Sequence, residues 1–342
     1  MLGGATSRTD AGLFPLAVFV VSLLAAVAAT IVARNVVPAL RGLTQLVAET
    51  ERPSDGEHYL ANSVGGHVDH HVLYFGIDAE VLRRMQEADV LFLGNSRLMF
   101  AMRPKILRPF FAAEAVPYYV MGFGFREADS FPLAIIRKFD LRPRLVVVNA
   151  DGFFGGGLSE WARVVMRDSP FAARKWQWES EATHHVRQVV HQVVPNWMRL
   201  FGQPGLGLRR GFIAYRARFD GTWELSPWPE STETFQASPL DGPLPGRSEI
   251  AAARDFKAEL DGRGSRLVLT RVPTPVPMAG AGPARFAELL GVPLVTVDVP
   301  VLTSQDHSHL SEASAHDWTR SFVAALAPYV RDARLARGTA VR

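Results

Sequence analysis

Two short segments far apart in the chain carry side chains that could do covalent chemistry together. Ser96 lies in a Gly-Asn-Ser-Arg turn after the apolar run 90–93, and His309 follows Asp306 by three residues beyond the apolar run 294–297. Serine, histidine and aspartate supply a nucleophile, a base and a group that orients the base. Their order, and their positions after probable buried strands, therefore predict acyl-transfer chemistry.

Each segment also has an ordinary structural interpretation. Ser96 could simply cap the helix that follows it, a role in which serine is common. Asp306 or Ser308 could cap a helix as well, with solvent-exposed histidines beside it. His307 competes with His309 for the role of base. The catalytic interpretation gains from the i, i+3 spacing of aspartate and histidine, because both can project from one turn and leave the second ring nitrogen for the serine.

The composition limits the class of protein. Of 342 residues, 48% are apolar and 21% are charged, which suffices for a sizeable core. The formal net charge is only +3, and the tail 331–342 is the noticeably basic part of the sequence, so nucleic acid is not an expected partner. The sequence contains no cysteine, which excludes disulfides, thiolate metal sites and a cysteine nucleophile.

The segment Leu13–Ala33, which follows a short tail 1–12, contains no charged residue. Its length matches the roughly 20 residues that a helix needs to cross a hydrocarbon core. We predict an uncleaved transmembrane helix that contacts membrane lipid. A cleaved signal peptide with a small-residue site near 26–28 is the alternative, although the apolar part of such peptides usually runs about 7–15 residues.

Strand and helix signals alternate over most of the remaining sequence. Short apolar runs predict strands at 90–93, 117–121, 145–149, 266–270 and 294–297. Helices are predicted at 79–88, 98–111, 127–139, 249–260, 284–290 and 311–329. This alternation predicts a three-layer α/β/α domain with a five-stranded parallel sheet, in the flavodoxin-like order 2-1-3-4-5.

The sequence divides into a membrane-proximal connector at 34–87, an α/β domain at 88–330 and a basic tail at 331–342. An insertion at 152–247 interrupts the α/β domain and holds six of the seven tryptophans, which indicates packing of its own. It is predicted to be largely helical, followed by a loop-rich stretch at 219–245. Stacking of a carbohydrate on one or two of these tryptophans is the alternative to a packing role.

A histidine group, His67, His70 and His71, precedes the predicted α/β domain. A metal site needs three or four converging ligands, and the neighbouring sequence completes no such set. Gly155–Gly157 has no Gly-Lys-Ser/Thr after it and is not a phosphate loop. We therefore expect neither a metal nor a cofactor.

Over about residues 88–330, apart from the insertion, the chain resembles the SGNH (GDSL-type) hydrolase superfamily. Four short blocks in the family's order carry the resemblance: 91–97 with Gly94-Asn95-Ser96, 120–125 with Gly122 and Gly124, 148–152 with Asn149, and 306–310 with Asp306 and His309. The resemblance implies Ser96 as nucleophile, His309 as base and Asp306 as its partner. It also implies an oxyanion hole with a backbone N–H of Gly122 or Gly124 and the side chain of Asn149.

The chain departs from the family pattern in three places. Asn95 replaces the usual aspartate, the block at 120–125 lacks the usual asparagine, and Ala150 separates Asn149 from Asp151. The second departure leaves the choice between Gly122 and Gly124 open, and the third affects the reach of the Asn149 amide.

The resemblance and the predicted anchor together imply a membrane-anchored serine esterase or O-acyltransferase outside the cytoplasm, acting on acetyl esters of cell-envelope glycans. The flanking charges conflict with that placement, since Arg34 and Arg41 follow the predicted span whereas Arg8 is offset by Asp10. A cytoplasm-facing lipid-directed hydrolase fits those charges. A non-catalytic module of the same fold, binding glycan or an envelope protein, is the alternative from another class.

Overall fold

The computed structural model describes residues 56–63, 66–124, 127–180, 182, 213–226, 233–276, 281–304 and 306–339. All of them lie in the second of two compact units, Pro53–Arg342. The predicted tail 1–12 and the predicted membrane helix Leu13–Ala33 lie outside the described residues. Within the described ranges, no helix is both long enough and apolar enough to cross a bilayer.

Strands and helices alternate through the central part of the chain. The strands are β1 (His58–Ser63), β2 (Gly66–His67), β3 (Val90–Gly94), β4 (Tyr118–Gly122), β5 (Leu145–Asn149), β6 (Ile213–Ala217), β7 (Trp223–Ser226), β8 (Glu233–Phe235), β9 (Arg266–Thr270), β10 (Leu294–Val295) and β11 (Leu302–Ser304). The helices are α1 (Val68–Phe75), α2 (Ala79–Glu87), α3 (Ser96–Ala101), α4 (Pro104–Glu114), α5 (Ser130–Lys138), α6 (Glu160–Arg167), α7 (Arg247–Gly262), α8 (Pro283–Leu290) and α9 (Glu312–Thr339). Residues 170–180 form a further helix after α6, hereafter the 170–180 helix.

The central sheet is five-stranded and parallel, with the spatial order β10-β9-β5-β3-β4. When these five strands are numbered 1 to 5 in chain order and the sheet is followed from β4 to β10, the order is 2-1-3-4-5. The predicted topology is therefore confirmed. β3 and β5 are buried along their whole length, as aliphatic strands covered on both faces must be. Parallel strands end at the same edge, so the residues after β3, β4, β5 and β9 meet at one edge of the sheet.

Helices cover both faces of the sheet. One face carries an apolar cluster with α1, α2, α5, α7 and α8, and includes Leu91, Val148, Phe131 and Phe256. The other face carries a cluster with α3, α4 and α9, in which Phe92, Phe111 and Trp318 are the large members. The predicted three-layer α/β/α architecture is therefore confirmed.

The predicted helix at 98–111 is divided in two. α3 ends at Ala101, and Met102 and Arg103 are extended before Pro104 begins α4. Proline disfavours helical geometry at the residue before it but suits the first turn of a new helix, which explains the break. At the other end of the chain, α9 continues through the predicted helix at 311–329 into the basic tail.

A second, antiparallel sheet joins two segments that the sequence keeps far apart. Its order is β2-β1-β6-β7, so the predicted connector supplies β1 and β2 while the predicted insertion supplies β6 and β7. The expectation of a loop-rich stretch at 219–245 is wrong for β7 and β8, which lie within it. The N–H of Val120 in edge strand β4 donates to the carbonyl of Asp220, so this second sheet covers the edge of the first.

Candidate active site

Ser96 begins α3 immediately beyond the carboxyl end of β3. The side chain of Asn95 accepts a hydrogen bond from the N–H of Arg97 at 3.0 Å, so Asn95 is the N-cap of α3 and Ser96 is not. Gly94 packs closely on the end of β5, because a Cβ added to Gly94 would lie only 2.9 Å from the Cβ of Asn149. The Ser96 hydroxyl therefore has no capping role and can face the loop after β11.

The structure brings Ser96, His309 and Asp306 together in a continuous series of hydrogen bonds. Ser96 Oγ lies 2.8 Å from His309 Nε2, and His309 Nδ1 lies 2.7 Å from Asp306 Oδ2. Asp306 Oδ1 also accepts the backbone N–H groups of Ser308 at 3.0 Å and His309 at 2.8 Å. The carboxylate thus shapes its own loop and aims the imidazole at the serine, which is the arrangement that general-base activation of a hydroxyl requires.

His307 does not share this site. It has a positive φ of 61°, and its ring lies 3.1 Å from Glu233 with 73% of the side chain exposed. The His309 side chain, by contrast, is only 16% exposed. The structure therefore places His309, and not His307, next to Ser96.

Asp306 stays ionised beside the imidazole. Burial pushes the pKa of this carboxyl upward, but the hydrogen bond and charge of His309 and the backbone N–H groups of His309 and Ser308 outweigh burial and hold the pKa below its ordinary value. An ionised carboxylate on Nδ1 favours the tautomer that leaves Nε2 able to accept the serine proton.

Asn149 is fully buried at the end of β5, next to the turn that carries Ser96. Its Oδ1 accepts the N–H of Val272 at 3.0 Å, and its Nδ2 donates to Asn95 Oδ1 at 3.3 Å. An amide carries two N–H groups, so a second donor remains on Nδ2. The amide therefore holds strand ends together besides any part it plays in an oxyanion hole.

The two glycines predicted for the oxyanion hole differ in position, because Gly122 ends β4 and Gly124 lies beyond it. The N–H of Phe123 donates to Gly94 O at 2.9 Å, on the β3 side of β4. Because successive N–H groups alternate along a strand, the N–H of Gly122 points to the opposite side, where its carbonyl accepts from Arg216 Nη2. Gly124 is buried two residues beyond the end of β4. The use of a glycine N–H in the oxyanion hole stays a prediction.

Arg97 and Asp151 form a buried ion pair that the sequence analysis does not anticipate. Their side chains are 8% and 6% exposed, and Arg97 Nη2 also donates to the carbonyl of Val276 at 2.9 Å. The guanidinium lies 3.4 Å from Ser308 Oγ, next to the base. Arg97 thus links three loops at this edge of the sheet. The sequence offered one signal for this pair, since Arg97 directly follows Ser96 and Asp151 lies two residues after Asn149.

His70 and His71 each contact a different carboxylate. His70 Nε2 lies 2.8 Å from Glu127 Oε1, and His71 Nε2 lies 2.8 Å from Asp168 Oδ2. Across the part of the chain that the structure describes, no group of three or more histidine or carboxylate side chains converges as a metal site. These two histidines fasten α1 to the loop after β4 and to the end of α6.

No protein-family model and no curated protein matches this chain. Among solved structures it is similar to a crystal structure from Bacteroides fragilis that is described as a "putative acylhydrolase". The two chains are 12% identical, with a TM-score of 0.32, and the similarity covers 84% of this chain and 95% of the other. A likeness of this degree carries no conclusion about the activity of this chain.

Proposed function

We propose that the chain is a serine esterase or O-acyltransferase that works through an acyl-serine at Ser96. The single observation that carries the proposal is the unbroken series of hydrogen bonds from Asp306 through His309 to Ser96 Oγ. Serine at the end of a buried strand, histidine within hydrogen-bond reach and a carboxylate on the second ring nitrogen make up the set that activates a hydroxyl.

In the first half-reaction, His309 Nε2 takes the proton as Ser96 Oγ attacks the acyl carbonyl carbon. The carbonyl oxygen becomes an oxyanion, and in this proposal backbone N–H groups at this edge and the Asn149 amide donate hydrogen bonds to it. His309 then gives its proton to the departing alcohol, which leaves the acyl group on Ser96. In the second half, water or a hydroxyl of an acceptor attacks the acyl-serine with His309 again as base, and Ser96 regains its proton.

Acetyl esters of cell-envelope glycans are the substrates we propose. This choice depends on the resemblance to SGNH hydrolases and on the expectation that Leu13–Ala33 anchors the chain in the membrane with the large domain outside the cytoplasm. Whether water or a sugar hydroxyl reaches the acyl-serine decides between hydrolase and transferase. Reporter fusions after Arg247 test the placement, and activity of a cytoplasm-only reporter there would refute it.

Labelling of the full chain with a fluorophosphonate probe, followed by peptide mapping, tests the nucleophile. We expect the label on Ser96 and its loss in Ser96→Ala. Ser130→Ala is the matched control, because Ser130 also begins a helix but lies in α5 and has no histidine partner among the described contacts. The same three proteins should be assayed with p-nitrophenyl acetate, which the wild type and Ser130→Ala should hydrolyse and Ser96→Ala should not.

Two results would count against the proposal. One is unchanged turnover or labelling in Ser96→Ala. The other is a wild-type chain that neither hydrolyses nor transfers the acyl group of any acetyl donor. The second result would favour the non-catalytic module that binds glycan or an envelope protein.

A further inference from the structure

The 170–180 helix exposes an unusual face. Phe171 and Trp178 are 79% and 70% exposed, and Arg174 and Lys175 between them are exposed as well. These positions are i, i+3, i+4 and i+7, so the four side chains share one stripe of the helix. We call this stripe the aromatic–basic face. Two large aromatic side chains exposed on one stripe of a helix make an apolar patch, and such patches often mark an interaction site.

The opposite side of the same helix attaches it to the domain. Ala173 and Ser180 are buried. The Trp176 ring lies 6.0 Å from the His71 ring and 6.5 Å from the Trp161 ring, measured between centroids. The helix therefore attaches to the domain through Ala173, Trp176 and Ser180, while Phe171 and Trp178, two of its three large aromatic residues, lie on the exposed side.

The neighbouring helix continues the same character. Two residues separate the end of α6 from the 170–180 helix. Val164 in α6 is 46% exposed, and Arg163 and Arg167 of the same helix are exposed as well. Asp168, in the link between the helices, lies 2.8 Å from His71 Nε2, so the link is fastened to α1. The rings of Trp161 in α6 and Trp176 in the 170–180 helix are 6.5 Å apart, so the two helices contact one another.

The charge of this surface favours one kind of occupant. Its exposed cations are Arg163, Arg167, Arg174 and Lys175, and the exposed acids of the two helices are Glu160 and Glu179. Lys175 and Glu179 lie 3.7 Å apart with 62% and 48% of their side chains exposed, so water and salt screen that pair. An excess of cations interspersed with Trp, Phe and Val is the composition of a surface that enters the headgroup region of an anionic bilayer.

We propose that the aromatic–basic face, together with the exposed side of α6, docks the domain on an anionic lipid surface. Phe171 and Trp178 enter the interface between headgroups and acyl chains, while Arg174 and Lys175 contact lipid phosphates. The proposal does not depend on chemistry at Ser96. It concerns the domain itself and not the predicted anchor Leu13–Ala33, and the experiment must separate these two ways of reaching a membrane.

The cysteine-free sequence allows a clean experiment. The full chain carrying Trp178→Cys is labelled with the environment-sensitive fluorophore NBD and reconstituted into vesicles of phosphatidylcholine alone or with phosphatidylglycerol. Leu244→Cys, also labelled, is the control, because Leu244 is 77% exposed on a different segment and would be tethered equally by an anchor. We expect a blue shift of emission and quenching by spin-labelled lipid for the label at 178 in anionic vesicles, and neither effect for the label at 244.

Charge reversal tests the electrostatic part. Arg174→Glu with Lys175→Glu in the Trp178→Cys chain should abolish the shift, and so should high salt, because both remove attraction to anionic headgroups. Lys105→Glu with Arg254→Glu changes the charge equally at exposed sites elsewhere and should leave the shift intact. Ser96→Ala should also leave the shift intact, so this proposal and the proposed activity fail separately.

Three outcomes would overturn the docking proposal. The labels at 178 and 244 could respond alike. The label at 178 could already emit at short wavelength without vesicles, which would mean that protein covers the face. The shift could be equal on neutral and anionic vesicles or survive the charge reversal, which would remove the anionic lipid as the ligand.

Discussion

The ring of Phe100 stacks on the ring of His309, with centroids 4.1 Å apart and planes inclined by 22°. Phe100 lies one turn after Ser96 in α3 and is 5% exposed. The same short helix therefore carries the proposed nucleophile and the ring on which the proposed base rests. Together with the bond to Asp306, the stacking restricts rotation of the imidazole and keeps Nε2 on Ser96 Oγ.

Phe100→Leu should lower kcat with little change in KM, because it loosens the base without removing a group that binds substrate. A misplacement of about 1 Å in a reacting group can cost on the order of 10²-fold in rate, which sets the upper end of the expected loss. Steady-state kinetics with p-nitrophenyl acetate provide the measurement.

Phe110→Leu is the matched control, since Phe110 lies in α4 against Phe111 and has no described contact with His309. Its kcat should remain near that of the wild type. If both variants lose rate equally, general loosening of this face of the domain explains the effect and the stacking on His309 does not.

The loops that carry Ser96, Asp306 and His309 could be predicted from the sequence because each follows a local pattern. Aliphatic runs mark β3, β5 and β9, and glycine, asparagine and serine mark the turn after β3. The i, i+3 relation of Asp306 and His309 is also local, so their contact could be predicted without the fold. The sheet order followed from strand and helix alternation together with right-handed crossovers.

Contacts between distant segments could not be predicted in the same way. β1 pairs with β6, and about half of the residues of this unit lie between the two strands in the sequence. The local sequence of either strand therefore does not indicate its partner. Nothing in the sequence next to Arg97 indicates its burial against Asp151, because that contact exists only where the loops after several strands meet. The stacking of Phe100 on His309 likewise exists only once α3 and the loop after β11 are assembled.

Asn149→Ala should reduce both activity and stability. Removal of a proposed oxyanion donor should lower kcat by about 10²–10³. The buried N–H of Val272 would also lose its acceptor, which costs about 1–3 kcal/mol of unfolding free energy. We therefore expect Asn149 to contribute to the fold as well as to the proposed oxyanion hole.

Denaturant unfolding and kinetics should be measured on the same Asn149→Ala preparation, well below its transition. A loss of stability with unchanged kcat would remove Asn149 from the oxyanion hole and leave it a structural role. A loss of kcat with unchanged stability would contradict the importance of the bond to Val272.

Arg216→Met should destabilise the domain strongly. Arg216 and Asp69 are 0% and 2% exposed and lie 2.9 Å apart, and Arg216 also donates to the carbonyls of Val120 and Gly122 in β4. Breaking a buried pair by removing one partner leaves a buried charge and typically costs about 3–5 kcal/mol. Denaturant unfolding provides the measurement.

Arg142→Met is the control for Arg216→Met, because the Arg142–Asp140 pair is 64% and 62% exposed. That substitution should cost less than about 1 kcal/mol. Similar losses in the two variants would show that the second sheet does not depend on the buried arginine.

Asp306→Asn should flatten the acid limb of the stability curve. Because His309 and the loop N–H groups hold the pKa of Asp306 below its ordinary value despite burial, the folded chain binds this proton less readily than the unfolded chain does. The ionised carboxylate therefore stabilises the fold above the ordinary aspartate pKa of about 4, and this contribution is lost as the pH falls further, through the lowered folded-state pKa. The Tm of the wild type should exceed that of Asp306→Asn at neutral pH, and the difference should vanish below about pH 4.

Thermal unfolding across that pH range provides the measurement. Asp255→Asn, at an exposed position on α7, is the control, and its Tm should change with pH as the Tm of the wild type does. A Tm for Asp306→Asn that parallels the wild type at every pH would mean that the bond to His309 does not hold the carboxylate in its ionised form.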